Sequence, residues 1–480
     1  MLEPFDAAAP APPQTDASAF ATAPAHEIAA AVKSGQVSAR AVLEASLQRI
    51  AALEPQVNAF TDVTMERARA KADAVDAARA AGRELGRLAG VPFAVKNLFD
   101  IAGLPTRAGS LINRTHAPAT QDSTLVERLE AADAILVGGL NMGEYAYDFT
   151  GENAHDGPSR NPHSLGHMSG GSSGGSGAAV AAGEVPLALG SDTNGSIRVP
   201  SALCGIFGLK PTYGRLSRAR TFPFVSAFDH LGPFARCPQD LALAYDAMQG
   251  EDPADPCLTP RPFEPTATRL SEGLGGLKVA VAGGYFRAKG MPEAFAAVDA
   301  VAAVLGATRT VEIAEAARAR AAAYVITAAD GAALHAGRLH ARAGDYDPAV
   351  RDRLIAGLAI PAAWTTAAQK FRRVYRAQVL KLFEEVDVIL APSTPCRAPE
   401  LGQRMFVLDG ETMLVRPNLG IFTQPISFIG LPVAAVPVWL DEGLPLGVQV
   451  IGAPWREDVV LRVAEALWQA GVCRAPVAKL

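Results

Sequence analysis

Two glycine-rich turns in the middle of the chain carry the residues best suited to chemistry. The first spans residues 170–175, reads Gly-Gly-Ser-Ser-Gly-Gly and contains Ser172, and the second spans residues 190–196 and ends at Ser196. Glycine lets a backbone approach a ligand closely and adopt dihedral angles that other residues avoid. Two hydroxyl groups beside a row of free N–H groups are what acyl transfer requires. The pattern therefore predicts an acyl-transfer site.

The segments around these turns predict how the two serines are held. Small residues over 176–183 are typical of a short buried helix, and residues 185–189 are typical of a strand that leads into the second turn. Far upstream, Lys96 ends the predicted strand Gly90-Val-Pro-Phe-Ala-Val-Lys-Asn among apolar neighbours. Many lysines at strand ends reach solvent. A buried lysine instead loses its proton more readily and can serve as a base.

These three features together resemble the signature of the amidase signature family. The matching residues are Lys96 at its strand end, the first turn, and the run Gly190-Ser-Asp-Thr-Asn-Gly-Ser-Ile-Arg-Val-Pro. Members of this family hydrolyse or transfer amides with a Ser, Ser, Lys triad. The likeness extends to Phe422-Thr-Gln-Pro and Gly430-Leu-Pro near the C-terminus, whereas the helical middle of the chain matches only loosely.

The resemblance implies a role for each catalytic residue. Ser196 would be the nucleophile, Ser172 the bridging serine after a cis peptide bond, and Lys96 the base that finally receives the proton. A serine hydroxyl needs such an acceptor to become a good nucleophile. The implied oxyanion hole consists of the backbone N–H groups of Thr193, Asn194, Gly195 and Ser196.

Asn194 departs from the common family pattern, which has a second glycine at this position. The backbone N–H survives the change, and asparagine tolerates left-handed dihedral angles better than most residues. We therefore interpret Asn194 as the mark of a subfamily. The flanking Asp192 and Arg198 are expected to brace the turn rather than to react.

The resemblance is strongest to the branch that hydrolyses 1-carboxybiuret, through the second turn and Thr150-Gly-Glu-Asn-Ala-His. It implies an amidohydrolase that cleaves the C–N bond of a small, carboxylated urea- or biuret-type amide through an acyl-enzyme and releases ammonia. Arg416 is the candidate for binding a substrate carboxylate, because guanidinium pairs with carboxylate in bidentate fashion. The expected substrate-binding residues are Tyr145, Ser173, Met168 and Arg416. Neither a cofactor nor a metal ion is expected.

Other functions compete with this prediction. Within the family, the chain could be the glutamine-hydrolysing component of an aminoacyl-tRNA amidotransferase or a broad-specificity aliphatic or aromatic amidase. The amidotransferase component carries an Asp before the x-Phe/Tyr-Thr motif, whereas this chain has Gly420. Outside the family, the G-x-S-x-G match of an α/β-hydrolase lacks a preceding strand, and a phosphate-binding P-loop lacks its lysine. A small-molecule binding protein, with the turns as structural corners, is the non-enzymatic alternative.

The remaining pattern predicts an α/β fold with one large mixed β-sheet, helices on both faces and a helical segment over one edge. This is the fold that the amidase signature resemblance implies. Residues 1–22 are expected to form a flexible tail and residues 23–480 the amidase domain, with the helical segment at about 285–385. Strand patterns before and after that segment indicate a single sheet.

Composition limits the partners and the compartment. The chain has 44 basic and 49 acidic residues, a net charge of −5, which argues against a nucleic-acid surface, and its apolar runs are too short for a membrane span. Five widely spaced cysteines favour free thiols in the cytoplasm, and the acidic N-terminus does not resemble a secretion signal. The expected partner is a small-molecule amide. The resemblance leaves room for a homodimer and at most for a small helical helper protein.

Overall fold

The chain folds around one large β-sheet. The computed structural model describes residues 17–440 and 443–480. The strands of these residues are β1 (Phe60–Val63), β2 (Pro92–Lys96), β3 (Ile135–Leu140), β4 (Arg160–Asn161), β5 (Ser164–Met168), β6 (Leu187–Asp192), β7 (Phe207–Lys210), β8 (His230–Ala235), β9 (Val279–Ala282), β10 (Arg309–Val311), β11 (Val388–Pro392), β12 (Met405–Leu408), β13 (Glu411–Leu414), β14 (Val433–Val438) and β15 (Leu446–Gly452).

Eleven of these strands form the main sheet, in the order β1-β3-β2-β6-β8-β7-β14-β15-β11-β9-β10. The pairs of β2 with β3 and β6, and of β9 with β10 and β11, are parallel, and the other pairs are antiparallel. Every residue of the central strands β2, β6, β14 and β15 is buried, so both faces of the sheet are covered. The predicted α/β class with one mixed sheet is confirmed.

Helices cover the sheet on its two faces. Their bounds in the described residues are α1 (Ala25–Ser34), α2 (Ala39–Val57), α3 (Met65–Ala80), α4 (Thr124–Ala131), α5 (Gly174–Ala181), α6 (Arg198–Cys204), α7 (Pro238–Met248), α8 (Pro292–Val304), α9 (Ala316–Arg342), α10 (Pro348–Gly357), α11 (Ala362–Leu382), α12 (Val415–Asn418), α13 (Gln424–Ser427) and α14 (Glu457–Gln469). Helix α5 packs against β6, and α6 packs against β14 and β15. The two glycine-rich turns are thus anchored to the middle of the sheet.

The helical segment differs in detail from its prediction. Helices α8, α9 and α11 lie within the predicted helical segment, but α10 and the short strand β10 also lie there. Asp347 caps α10, because its side chain accepts the N–H of Ala349 at 2.9 Å. Helix α10 packs against α9.

The predicted tail lies mostly outside the described residues, which begin at residue 17. Residues Ala17–Phe20 form a single 3₁₀ turn, and Phe20 packs against the hydrophobic core. No helix of the described residues combines the length and the hydropathy that crossing a bilayer requires. The five cysteines are free thiols, and only Cys257 is partly exposed.

Candidate active site

Lys96 is a fully buried lysine that contacts two serines. It ends β2, whose parallel neighbours β3 and β6 cover it on either side, and its exposed fraction is 0%. Its Nζ lies 2.7 Å from Oγ of Ser172 and 2.9 Å from Oγ of Ser191. A lysine held in this way can exchange protons with either hydroxyl group.

Burial changes the acidity of this lysine. The loss of hydration lowers the pKa of Lys96 to about 7, although the nearby carboxylates of Asp229, Asp192 and Asp148 oppose the shift. A large fraction of Lys96 is therefore neutral near pH 7. A neutral amine has a lone pair that can accept a proton, which an ammonium group lacks.

Ser172 lies where the first glycine-rich turn meets α5. The peptide bond between Gly171 and Ser172 is cis, as the family resemblance implied. The carbonyl oxygen of Ser172 accepts the N–H of Gly143 at 3.1 Å. Its neighbour Ser173 joins the two turns, because its Oγ accepts the N–H of Ser191 and donates to the carbonyl oxygen of that residue.

The second turn leaves β6 after Asp192 and presents a row of backbone N–H groups. The N–H groups of residues 193–196 have no acceptor among the described residues of the protein. Gly195 has φ +145°, and a side chain there would collide with Oγ1 of Thr423, which donates to the carbonyl oxygen of Asn194 at 2.7 Å. The turn therefore holds several free donors in a fixed arrangement next to Ser196.

The left-handed backbone expected at Asn194 is not present. Gly195 takes the positive φ of the turn, and Asn194 is not among the described non-glycine residues with positive φ. Asparagine is thus not required here for its backbone freedom. Its side chain, rather than its dihedral angles, distinguishes this position.

A buried ion pair braces the second turn from behind. The guanidinium of Arg198 donates to both carboxylate oxygens of Asp192 at 2.9 Å, and both side chains are fully buried. Burial alone would raise the pKa of Asp192, but the charge of Arg198 outweighs it and holds that pKa below its ordinary value. Arg198 also donates to Oε1 of Gln449 and to the carbonyl oxygen of Thr423. The Asp192 carboxylate is therefore fully engaged in bracing.

A narrow pocket surrounds Ser196. Its cavity measures about 10 Å³, and its walls combine the second turn, the loop around Tyr147 and the helices α9 and α10. The lining residues are Ala146, Tyr147, Asp148, Phe149, Thr193, Asn194, Ser196, Phe224, Tyr324, Thr327, Arg353 and Gln424. A cavity of this size accepts a small group rather than a long chain.

The side chain of Asn194, a residue that lines this pocket, carries one unpaired polar atom. Its Nδ2 donates to Oγ1 of Thr327 at 3.0 Å, whereas its buried Oδ1 has no hydrogen-bond partner in the described residues. An unpaired buried acceptor costs free energy of about 1–3 kcal/mol. A ligand that donates an N–H at this point would remove that cost.

Arg353 lies between this pocket and a larger outer cleft. The cleft, with a cavity of about 850 Å³, shares Arg353 with the pocket. The Arg353 guanidinium stacks 3.5 Å from the ring centre of Tyr147 and donates to the carbonyl oxygen of that residue at 2.9 Å. No carboxylate of the described residues forms an ion pair with it. Arg353 therefore offers a fixed positive charge at the entrance of the pocket.

The predicted substrate-binding residues lie around this pocket rather than in its wall. The ring of Tyr145 is buried in an aromatic cluster with Phe222, His335 and Tyr346. Tyr147, two residues later, lines the pocket instead. Met168 packs in a separate apolar cluster, and Ser173 bonds to Ser191.

Arg416 lines the outer cleft, but its charge is already paired. Its guanidinium donates to Asp148 at 2.5 Å and to Glu152 at 3.3 Å. Two carboxylates therefore compete with any anionic ligand for this arginine. Sequence reasoning missed Arg353 because nothing in the local pattern of α10 separates it from the neighbouring Arg351.

Comparison with known proteins identifies the family. The family model "Amidase" matches residues 41–461. The chain belongs to the amidase family. The enzyme is 54% identical over 450 residues to AtzE, the 1-carboxybiuret hydrolase subunit of Pseudomonas sp. (strain ADP), in an alignment that covers 93% of this chain and 98% of that protein. It is 38% identical to a glutamyl-tRNA(Gln) amidotransferase subunit of Roseiflexus sp. (strain RS-1), over 91% of this chain and 94% of that protein.

Solved structures give the same answer. A structure described as a vestigial protein complex that reveals the origins of an s-triazine catabolic enzyme matches with a TM-score of 0.94 at 53% identity, covering 95% of this chain and 100% of that chain. The peptide amidase of Stenotrophomonas maltophilia matches with a TM-score of 0.81 at 26% identity, covering 96% of this chain and all of the other. This amidase is thus a hydrolase of carbon–nitrogen bonds other than peptide bonds.

Proposed function

We propose that this amidase hydrolyses a small, carboxylated urea- or biuret-type amide and releases ammonia. The observation that carries the proposal is Arg353, a cation without a carboxylate partner in the described residues, at the entrance of the pocket that contains Ser196. A guanidinium recognises a carboxylate through two parallel hydrogen bonds. The identity of 54% to a 1-carboxybiuret hydrolase subunit supports the same substrate class.

The reaction begins with Ser196 and the relay behind it. Neutral Lys96 takes the proton of Ser172 across their 2.7 Å hydrogen bond, while Ser172 takes the proton of Ser196. The Ser196 oxygen attacks the amide carbon, and the negative charge that forms on the carbonyl oxygen is stabilised by the free N–H groups of residues 193–196. Loss of one such donor typically costs about 100- to 1000-fold in rate.

The tetrahedral intermediate then breaks its C–N bond. The relay returns the proton to the leaving nitrogen, ammonia departs, and the acyl group remains on Ser196. A water molecule attacks this ester and gives its proton to the same relay, which returns it to Ser196 as the C–O bond breaks. The products are ammonia and a carbamic acid, which is the acid that a urea-type amide gives, and the enzyme is ready for the next turnover once this acid has ionised and its proton has left the site.

We infer a separate role for each residue that contacts the substrate. Arg353, rather than the expected Arg416, binds the carboxylate, because Asp148 and Glu152 already neutralise Arg416. The unpaired Oδ1 of Asn194 accepts an N–H of the urea-type group. A urea-type substrate supplies the N–H donor that this oxygen lacks.

The amidotransferase alternative is less well supported. In that subfamily an Asp occupies the position of Gly420, and here a side chain at this position would collide with Phe149, whose Cζ lies 2.4 Å from where the Cβ would be. The identity to the amidotransferase relative is also lower, at 38%. Phe149 thus occupies the space in which the subfamily's carboxylate would stand.

We also propose a partner and a cellular compartment for this protein. The similar hydrolase is named as one subunit of an enzyme, and the similar structure is described as a protein complex, which supports a small helical helper protein or a homodimer as partner. The free thiols of all five cysteines support a cytoplasmic location. Size-exclusion chromatography with light scattering, on protein expressed with its neighbouring genes, tests the partner.

A panel of amides tests the substrate. Purified enzyme is mixed with carboxybiuret, biuret, glutamine and simple aliphatic and aromatic amides, and the ammonia released is measured. We expect carboxybiuret to be turned over with the highest kcat/KM. Glutamine as the best substrate would favour the amidotransferase alternative, uniform turnover would favour a broad-specificity amidase, and no turnover would favour a binding protein. Turnover by Ser196→Ala at the wild-type rate would contradict the mechanism.

A further inference from the structure

A second cavity lies next to the pocket around Ser196, with which it shares Ala146, Thr193 and Phe224. It measures about 260 Å³ and extends inward to Ser191 and Thr193 at the end of β6. Its wall carries Asp229 and Arg218. Its rim consists of the exposed residues Pro223, Ser226, Ala254 and Pro256, so it is open to solvent. This volume holds several water molecules, since one occupies about 30 Å³.

Ser191 separates this cavity from Lys96. Its Oγ lies 2.9 Å from Nζ of Lys96, and the residue also lines the cavity. No acceptor among the described residues receives the hydroxyl hydrogen of Ser191. A buried hydroxyl group normally finds a partner, and a water molecule in the cavity is the one within reach.

Ser191 and Ser172 are the two hydrogen-bond contacts of the Lys96 amine in the described residues, and Ser172 does not line the cavity. Lys96 has no exposed surface, and its other hydrogen bond is to Ser172, which the proposed relay places between Lys96 and Ser196. A bound substrate or product fills the pocket around Ser196. Ser191 is then the contact of Lys96 that faces solvent.

The proposed hydrolysis leaves one proton to dispose of in each turnover. A urea-type amide and water give a carbamic acid and ammonia. Ammonia leaves uncharged during acylation and takes up its proton from bulk water, whereas the acid, like other carboxyl groups, ionises near pH 7 and leaves its proton at the site. When it ionises beside Ser196, the relay carries its proton to Lys96. Lys96 must lose that proton before it can act as a base again.

We propose that Ser191 and the 260 Å³ cavity form the path by which this proton leaves. The inference rests on the proposed function. An N–H bond of Lys96 breaks as an O–H bond forms on Ser191, while Ser191 gives its own proton to cavity water. The water passes it to solvent at the rim. Lys96 ends neutral and Ser191 unchanged, so atoms and charge balance.

The charges along the cavity fit this task. The Asp229 carboxylate accepts Oγ1–H of Thr193 at 2.6 Å and two backbone N–H groups, and it faces the cavity. Its negative charge attracts a proton that leaves Lys96. Arg218 stands farther out, where its guanidinium stacks on Tyr213 and donates to the carbonyl oxygen of Ser226. The path thus runs from a carboxylate inside to polar groups at the rim.

The first test separates chemistry from proton release. Ammonia leaves during acylation, so rapid quenching counts one ammonia per enzyme before the enzyme must reset. We expect Ser191→Ala to release the first ammonia at the wild-type rate but to have a steady-state kcat about 100-fold lower, which is a typical loss when one proton transfer is removed. Small buffers such as imidazole should restore part of the loss, and Ser191→Thr, which keeps a hydroxyl, should stay near wild type.

The second test leaves Ser191 intact and blocks the cavity. Cys257 lines it, and the other four cysteines are buried, so a thiol reagent should label Cys257 selectively. We expect a benzyl disulfide there to lower steady-state turnover without changing the first turnover, and a methyl disulfide to have little effect. Cys257→Ser in the same reagent is the control, and dithiothreitol should reverse the loss.

The outcomes discriminate between the proposals. Equal losses of first and later turnovers in Ser191→Ala, without rescue by buffer, would show that Ser191 only positions Lys96 and would overturn the path. Unchanged turnover of the benzyl-labelled enzyme would overturn it as well, even if Ser191→Ala fails to fold. Activity in Ser196→Ala would instead reject the underlying mechanism.

Discussion

Phe149 and Gly420 are in direct contact, and the ring of Phe149 occupies the space that any side chain at position 420 would need. An added Cβ would lie 2.4 Å from Cζ of Phe149 and 2.7 Å from Cε2. Phe149 also lines the pocket around Ser196. The contact therefore sets the shape of the pocket as well as the identity of residue 420.

The first prediction follows from this contact. Gly420→Ala should lower the free energy of unfolding by about 1–3 kcal/mol, the usual cost of overpacking. Denaturant unfolding measures the change. Gly337→Ala is the matched control, since nothing lies within 4 Å of a Cβ there.

A double-mutant cycle shows whether Phe149 is the cause. Phe149→Ala opens the space, so adding Gly420→Ala to it should cost much less than in the wild type. Additive costs would mean that residue 420 is constrained by something other than Phe149.

The second prediction concerns the relay. Ser172→Ala removes the hydroxyl that lies 2.7 Å from Lys96 and should lower kcat by about 100- to 10,000-fold, the range for a lost proton transfer. KM should change little, because Ser172 does not line the pocket around Ser196. Steady-state ammonia release measures both constants. A rise in KM with kcat unchanged would place Ser172 in substrate binding instead.

The third prediction is a pH profile. Burial lowers the pKa of Lys96 to about 7, and only the neutral amine accepts a proton, so kcat/KM should rise as the pH increases through about 7. Initial rates between about pH 5 and 9 measure this rise in kcat/KM on both sides of that pKa.

A second buried lysine provides the control. Burial also lowers the pKa of Lys210 to about 7, but its Nζ donates to the carbonyl oxygens of Pro211 and Leu431 and to neither catalytic serine. The Lys210→Met variant, if it folds, should therefore show the same rise in kcat/KM through about pH 7. A shift of the rise in kcat/KM to another pH in Lys210→Met would mean that Lys96 is not the group that titrates.

The sequence predicted the sheet because its signals are local, and it offered the relay residues through their resemblance to the amidase signature. Glycine-rich turns mark Ser172 and Ser196, and apolar neighbours on a strand mark Lys96. The pocket escaped prediction because its outer wall comes from α9 and α10, where alanine and arginine alternate without a distinctive motif. Helix α10 packs against α9, and its Arg353 reaches Tyr147. The pairing of Arg416 with Asp148 joins residues 268 positions apart, which no local pattern indicates.

The fourth prediction compares these two arginines. Arg353→Gln should raise KM for carboxylated substrates about 10- to 100-fold, because a charge-assisted hydrogen bond contributes about 1.5–3 kcal/mol. Neutral amides should be affected much less. Arg416→Gln should instead reduce stability and affect all substrates alike, since it leaves the buried Asp148 without its cation. If instead only Arg416→Gln raised KM for carboxylated substrates more than for neutral amides, Arg416 would be the residue that binds the carboxylate.

The last prediction tests the unpaired oxygen of Asn194. Asn194→Gly keeps the backbone N–H of the turn and removes a side chain whose Oδ1 has no partner in the described part of the chain. If that oxygen accepts a substrate N–H, kcat/KM for urea-type substrates should fall about tenfold, equivalent to about 1.4 kcal/mol and within the range for one hydrogen bond. Simple aliphatic amides, which lack the second nitrogen, should be hydrolysed as before. Thr327→Val provides the control, because it removes only the partner of Nδ2. Equal losses for both substrate classes in Asn194→Gly would mean that the side chain supports the oxyanion turn rather than selecting the substrate.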